Sequence, residues 1–147
     1  MLRNQTVETR TIEKVLDSTL GSVDRAEEAV LREALQLGFN DDELHKIGMS
    51  VRECVVNAVV HGNRYGARKK VQLTISRTPD CLVVMVADEG AGFDTVSVRD
   101  PLADGHLLSP SGRGLMMMRT FMDELQIRRR QPKGTEVKML KYVAKAK

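Results

Sequence analysis

The chain has 147 residues, of which 41% are hydrophobic and 29% are charged, a size and composition that fit one globular domain. Its longest clean apolar run, 82–87, is far shorter than the roughly 20 residues that span a bilayer. Because the N-terminal residues also contain no apolar signal-peptide core, we expect a cytoplasmic protein with no membrane contact.

Charge and cysteine usage narrow the classes of partner. Residues 126–147 carry eight Lys or Arg against one acid, a net of +7, whereas the remaining 15 basic and 19 acidic residues give −4. Such a basic end suits an acidic partner, a nucleotide or nucleic acid, but only Tyr142 offers an aromatic platform, so we do not expect direct nucleic-acid binding. Cys54 and Cys81 form no CxxC pair and are predicted to be small buried hydrophobic side chains.

The first third of the chain predicts a strand and two helices. Residues 5–12 alternate loosely and indicate an edge strand. Apolar residues at three- and four-residue spacing then predict a helix capped by Ser22 that runs to about Leu37, where Gly38 stops it. A second helix, capped by Asn40 or Asp41, is expected to reach about residue 64.

From residue 70 the apolar period changes from helical spacing to two, which predicts a hairpin over 70–88 with a turn at Pro79 and Asp80. A long Gly-rich stretch follows, then a helix over 113–124 and strands over 125–130 and 134–142. The order predicts an α/β (α+β) two-layer sandwich, with helices on one face of a mixed, largely antiparallel sheet. We expect one domain over 1–147, with its core at about 20–142.

The second helix carries three polar residues, Glu53, Asn57 and His61, at a spacing of four, so they line one side of it. Polar groups on a packed helix cost free energy unless something satisfies them. An Asn amide oxygen is a good ligand for a hard metal ion, and a carboxylate one turn away can accept a proton. A partly exposed polar stripe on a surface helix remains the alternative interpretation.

Glycine-containing turns follow two of the predicted elements. Asp88, Gly90 and Gly92 stand at the end of a strand, where a carboxylate can accept a hydrogen bond from an exocyclic amine and glycine lets the backbone approach a flat ligand. The sequence Ser-Gly-Arg-Gly at 111–114 opens a helix, a place that suits phosphate oxygens. Thr135 enters the last strand and could hydrogen-bond a base.

In this order and spacing, the motifs resemble those of the GHKL ATPases, over about residues 45–140. The resemblance implies a Bergerat ATP-binding fold. Within that superfamily, ECVVNAVVHGN and GRGLMMMRTFMDEL are most similar to the anti-sigma-factor serine kinases of the RsbW and SpoIIAB type.

The resemblance also implies a role for each site residue. Glu53 would be the catalytic base, and Asn57 would bind both the nucleotide and its magnesium ion. Asp88 would accept the adenine amine, with Thr135 nearby, and 94–111 would form a lid over ATP. The adenine floor and the phosphate contacts would come from Gly90, Gly92, Gly112, Arg113 and Gly114.

The function that this resemblance implies is an ATP- and Mg²⁺-dependent serine/threonine protein kinase. It would phosphorylate a STAS-type anti-sigma antagonist, sequester a sigma factor and form a homodimer. The alternative is a non-catalytic nucleotide-binding switch that sequesters a partner protein, and Glu53 favours the enzyme over it. A third hypothesis, a regulator that contacts nucleic acid through 126–147, has only the basic charge in its favour.

Overall fold

The computed structural model describes residues 9–90 and 110–144. Within these ranges the chain forms five strands and three helices, in the predicted order. They are β1 (Arg10–Asp17), α1 (Gly21–Leu35), α2 (Asp41–Val56), β2 (Lys70–Thr78), β3 (Cys81–Ala87), α3 (Pro110–Phe121), β4 (Glu124–Arg129) and β5 (Thr135–Tyr142). A π-helical stretch, Asn57–Gly62, continues α2 without a break.

The strands form one sheet in the order β1-β2-β3-β5-β4. Each neighbouring pair is antiparallel, so the described sheet is antiparallel throughout rather than mixed. The helices cover one face of the sheet, and the predicted two-layer α+β fold is confirmed. No helix in the described ranges combines the length and the apolarity needed to cross a bilayer.

The predicted apolar periods mark the core correctly. Val71, Leu73 and Ile75 of β2 are buried at alternate positions, which places them on the helix-covered face. The helical stripe of α1 and that of α2 pack against the same face, because spacings of three and four keep each stripe on one side of its helix. The buried members of these stripes are Val23, Ala26, Val30 and Ala34 of α1 and Ile47, Val51 and Val55 of α2.

Two predicted boundaries near the N-terminus are wrong. The edge strand begins at Arg10 and continues to Asp17, beyond the predicted end at 12, because its register is set by pairing with β2 from Arg10–Arg77 to Asp17–Lys70. Helix α1 begins at Gly21, and Ser22 does not cap it. The buried Ser22 hydroxyl instead donates to the carbonyl of Asp17 at 2.7 Å, which ties the start of α1 to the end of β1.

The second helix is capped as predicted. The Asn40 side chain accepts from the Glu43 amide at 2.8 Å, and the Glu43 carboxylate accepts from the Asn40 amide at 3.0 Å, which makes a reciprocal capping box. At its other end the helix widens into the π stretch, where the backbone N–H of Asn63 donates to the carbonyl of Ala58, five residues earlier, at 2.7 Å. Such π segments often occur at functional sites.

The third helix begins at Pro110 and ends at Phe121, about three residues earlier at each end than predicted. The helix contains three consecutive methionines, 116–118. Met118 is fully buried in the core, whereas Met116 is exposed at the surface. Cys54 and Cys81 are both buried free thiols, as predicted. The predicted strand segment 5–8, Gly92, and residues 94–109 of the predicted lid lie outside the described residues.

Candidate functional site

A two-part cleft lies between the end of α2, the end of β3, the start of β5 and α3. Its inner part has an empty volume of about 450 Å³ and its outer part about 980 Å³, and both volumes include space that is open to solvent. The inner cleft is lined by Cys54, Asn57, Ala58, His61, Gly62, Val86, Asp88, Leu115, Met118, Thr135 and Val137. The outer cleft is lined by Glu53, Val56, Asn57, His61, Arg113, Gly114 and Met117.

Asn57 and His61 line both parts of the cleft, so the two parts meet along one side of the helix. Asp88 therefore lies at one end of this cleft and Glu53 at the other, with Asn57 between them. The spacing of four in the sequence predicted a shared helix side, but not that this side faces Asp88.

Asp88 is the buried carboxylate of the inner cleft, only 6% exposed. Its Oδ1 accepts hydrogen bonds from the Gly90 amide at 2.9 Å and the Thr135 amide at 3.2 Å. Within residues 9–90 and 110–144 we find no such partner for Oδ2. Burial raises the Asp88 pKa above its ordinary value of 3.8, while the two amides and the charge of Arg130 oppose that rise.

Glycine at positions 62 and 90 is required by close approach of the backbone. A Cβ at Gly62 would overlap the Asp88 carboxylate, and a Cβ at Gly90 would overlap the carbonyl of Gly62. The end of the π stretch therefore rests directly on the turn after β3. The other walls of the inner cleft are mainly apolar side chains, which suit a flat apolar ring.

The outer cleft joins α2 to the start of α3. A Cβ at Gly114 would overlap the Glu53 carboxylate, so glycine there lets the half-buried Glu53 side chain lie against the α3 backbone. Arg113 lines the same space and is exposed, as a cation that contacts a soluble anion would be. Gly112 lies next to Arg113 in the first turn of α3.

The residues of the cleft fit a metal ion that arrives together with a phosphate ligand. No group of three or more His, Cys, Asp or Glu side chains in the described ranges could hold a metal ion. Mg²⁺ is usually held by one or two protein oxygens, substrate phosphates and water rather than by an all-protein cage. The Asn57 amide, one helical turn from Glu53, supplies a protein oxygen of the required kind.

Two residues that support the turn after β3 were missed or left unassigned by the sequence analysis. Asn63, to which the sequence assigns no role, is 1% exposed, and its side-chain oxygen accepts from the backbone amide of Glu89 at 2.7 Å. Arg130 appeared only as part of a basic end, yet it donates to the carbonyl of Asp88 at 2.8 Å. Asn63 closes the motif ECVVNAVVHGN, but both contacts join distant parts of the chain, so no local pattern could have indicated these partners.

The cysteine of the inner cleft is chemically quiet. Cys54 is buried, and burial is the main cause that raises the pKa of its thiol, with the charges of Asp88 and Glu53 adding to it. A protonated thiol is a poor nucleophile, so Cys54 serves as a small apolar wall residue.

Residues 16–141 match the family described as the histidine kinase-like ATPase domain. The match covers most of the chain, and the chain belongs to this family. Its relatives include the anti-sigma F factor of Bacillus subtilis (strain 168), which is 32% identical over 114 residues that cover 76% of this chain and 78% of the relative. The anti-sigma F factor of Clostridium perfringens (strain 13 / Type A) is 35% identical over 108 residues, 72% of this chain and 77% of that one.

A solved structure shares the fold. The crystal structure of the RsbU and RsbW domains of a Mycobacterium tuberculosis protein aligns with a TM-score of 0.63 and 20% identity, over 94% of this chain and 34% of that longer chain. At this identity the likeness bears on the fold alone. The family match and the anti-sigma F factors confirm the predicted membership of the GHKL superfamily and its RsbW- and SpoIIAB-like branch.

Proposed function

We propose that this chain is an ATP- and Mg²⁺-dependent serine protein kinase that acts as an anti-sigma factor. It would bind a sigma factor and phosphorylate a serine of a STAS-type antagonist. The observation that carries the proposal is the single cleft that joins Asp88, Asn57 and Glu53 in a chain homologous to anti-sigma F factors.

The inner cleft suits adenine. The buried Asp88 carboxylate has an oxygen that can accept the hydrogen bond of an exocyclic amine, and Thr135 lies beside it. The aliphatic walls, with the nearby glycine backbone, suit the faces of a purine ring. Gly90 shapes the turn beneath that ring, and we assign the same task to Gly92 from the family resemblance.

The outer cleft suits the phosphates. Asn57 would hold magnesium by its amide oxygen, while Arg113 and the backbone of Gly112 and Gly114 would contact phosphate oxygens at the start of α3. Magnesium supplies charge neutralisation for the phosphate oxygens, and phosphoryl transfer requires mainly positioning and such charge stabilisation.

Glu53 would act as the general base. It lies at the open end of the cleft, where a serine hydroxyl from a second protein can approach. The hydroxyl oxygen forms a bond to the γ-phosphorus, its proton goes to Glu53, and the bond to the β-phosphate oxygen breaks to release ADP. The chain's own contribution is thus to hold both reactants and to accept one proton.

The test is transfer of label from γ-labelled ATP, with magnesium, to a purified candidate antagonist of the STAS type. Transfer to one serine is expected, and Glu53→Gln should keep ATP binding and lose at least about 100-fold in transfer rate. ATP binding without transfer to the antagonists tried would favour the non-catalytic switch. An unchanged rate in the Gln variant would exclude Glu53 as the base.

A further inference from the structure

The peptide bond between Asp88 and Glu89 is held at both of its polar ends by side chains. Arg130 Nη1 donates to the carbonyl oxygen of Asp88 at 2.8 Å, and Asn63 Oδ1 accepts from the amide of Glu89 at 2.7 Å. These carbonyl and amide groups belong to one planar unit. Bonds at both ends therefore fix the rotation of that plane, which one bond alone would leave free to tilt.

The Asn63 end of this arrangement is anchored in the core. Its Nδ2 donates to the hydroxyl of Ser18 at 2.8 Å and to the carbonyl of Lys70 at 3.1 Å, and the side chain is buried. These bonds fix which amide atom faces Glu89, because only the oxygen can accept. Asn63 thus connects the turn after β3 to the segment after β1 and to the start of β2.

The Arg130 end is anchored in the β4–β5 hairpin. Its backbone amide donates to the carbonyl of Gly134 at 2.9 Å, and Nη2 donates to Gln72 Oε1 at 3.3 Å. The planar guanidinium therefore spans from β2 to the turn that carries Asp88. A lysine at this position has one ammonium group and could reproduce the bond to Asp88 but not the fork.

We propose that Asn63 and Arg130 form a peptide clamp that aims the Asp88 carboxylate at the 6-amino group of the bound nucleotide. The proposal rests on the function proposed above, in which Asp88 receives that amine. The clamped peptide lies between Asp88 and the Gly90 amide, which donates to Asp88 Oδ1 at 2.9 Å. A change in ψ of Asp88 or φ of Glu89 would move this amide relative to the carboxylate and would so turn Oδ2 within the cleft. Both clamp residues act through Asp88 and are positioning residues.

The test compares two ligands that differ only in the 6-amino group. Dissociation constants of the full chain are measured for ATP and for purine riboside triphosphate, with magnesium. The wild type should prefer ATP by about tenfold or more, as expected for a hydrogen bond to a charged group. Arg130→Met should bring the two affinities to within about threefold of each other, mainly by weakening ATP.

Matched variants distinguish the orientation of the Asp88 carboxylate from the effect of the positive charge at position 130. Arg130→Lys should recover part of the preference, since it keeps one donor to the Asp88 carbonyl. Arg128→Met makes the same chemical change two residues earlier, in β4, where Arg128 pairs with Glu136 at the surface, and should keep wild-type preference. Asn63→Leu should lose the preference from the other end of the clamp, and if it does not fold, the Arg130 variants still decide.

Three outcomes would overturn the clamp. Equal weakening of both ligands in Arg130→Met would mean that Arg130 acts as a general charge for phosphates. Unchanged affinities for both ligands in that variant would mean that the Asp88 carboxylate keeps its orientation without the clamp. Equal binding of the two ligands by the wild type would instead refute the role of Asp88 in the proposed function, and the clamp with it.

Discussion

Replacing Asp88 by Asn is the sharpest test of adenine recognition, because the change is isosteric and the contacts of the carboxylate are known. Asn keeps an Oδ1 that can accept from the amides of Gly90 and Thr135, now at 2.9 and 3.2 Å. It then places an NH₂ donor where Oδ2 stood. That donor would face the donor amine of adenine, so the base loses its acceptor.

The size of the effect follows from the bond that is lost. A hydrogen bond to a charged group contributes about 1.5–3 kcal/mol, so Asp88→Asn should weaken ATP binding by roughly 10- to 150-fold. Isothermal titration calorimetry with magnesium measures this directly. Asp80→Asn, in the exposed β2–β3 turn, makes the same charge change away from the cleft and should bind as the wild type does.

Stability should move in the opposite direction to affinity. Burial raises the Asp88 pKa above 3.8, so the protonated acid favours the folded state. That contribution is fully present below the unfolded pKa and is lost as the pH rises through the folded-state pKa. A neutral Asn avoids the loss, so the free energy of unfolding of Asp88→Asn should gain on the wild type as pH rises through this window. If the folded Asp88→Asn variant bound ATP with the affinity of the wild type, the role of Asp88 in adenine recognition would be refuted.

Three other substitutions test separate parts of the site and the fold. Asn57→Ala should reduce the gain in ATP affinity that magnesium brings by about tenfold or more; calorimetry that finds the same gain would exclude Asn57 as a ligand. Gly62→Ala should push the Asp88 carboxylate aside, weaken ATP binding by about tenfold and cost about 1–3 kcal/mol of stability. Gly21→Ala should do neither, because a Cβ there makes only an ordinary contact with Thr19 Oγ1 at 3.8 Å. Ser50→Ala should raise the free energy of unfolding in urea by about 1 kcal/mol, because the buried Ser50 hydroxyl has no hydrogen-bond partner in the part of the chain described; a loss of stability would reveal such a partner.

The elements were predictable where burial repeats at a fixed interval. The stripe of α1, the alternation of β2 and the cap at Asn40, which the sequence offered beside Asp41, each depend on residues that lie close together in the sequence. The cleft motifs were also local strings, so Glu53, Asn57 and Asp88 could be proposed together from their order. The edge strand was placed too early, since a strand with Lys14 and the exposed Val15 has a weak alternation of its own.

Local pattern was enough to predict a helix or a strand at each described element and to propose the motif residues, because amphipathic periodicity and short motifs act over a few positions. Long-range pairing set the rest. The register of β1 depends on its pairing with β2. The Ser22 hydroxyl donates to the carbonyl of Asp17, and the turn at Asp88 is held by hydrogen bonds with Asn63 and Arg130. These are hydrogen bonds between groups that only the folded chain brings within reach, and their partners leave no mark at a fixed spacing in the sequence.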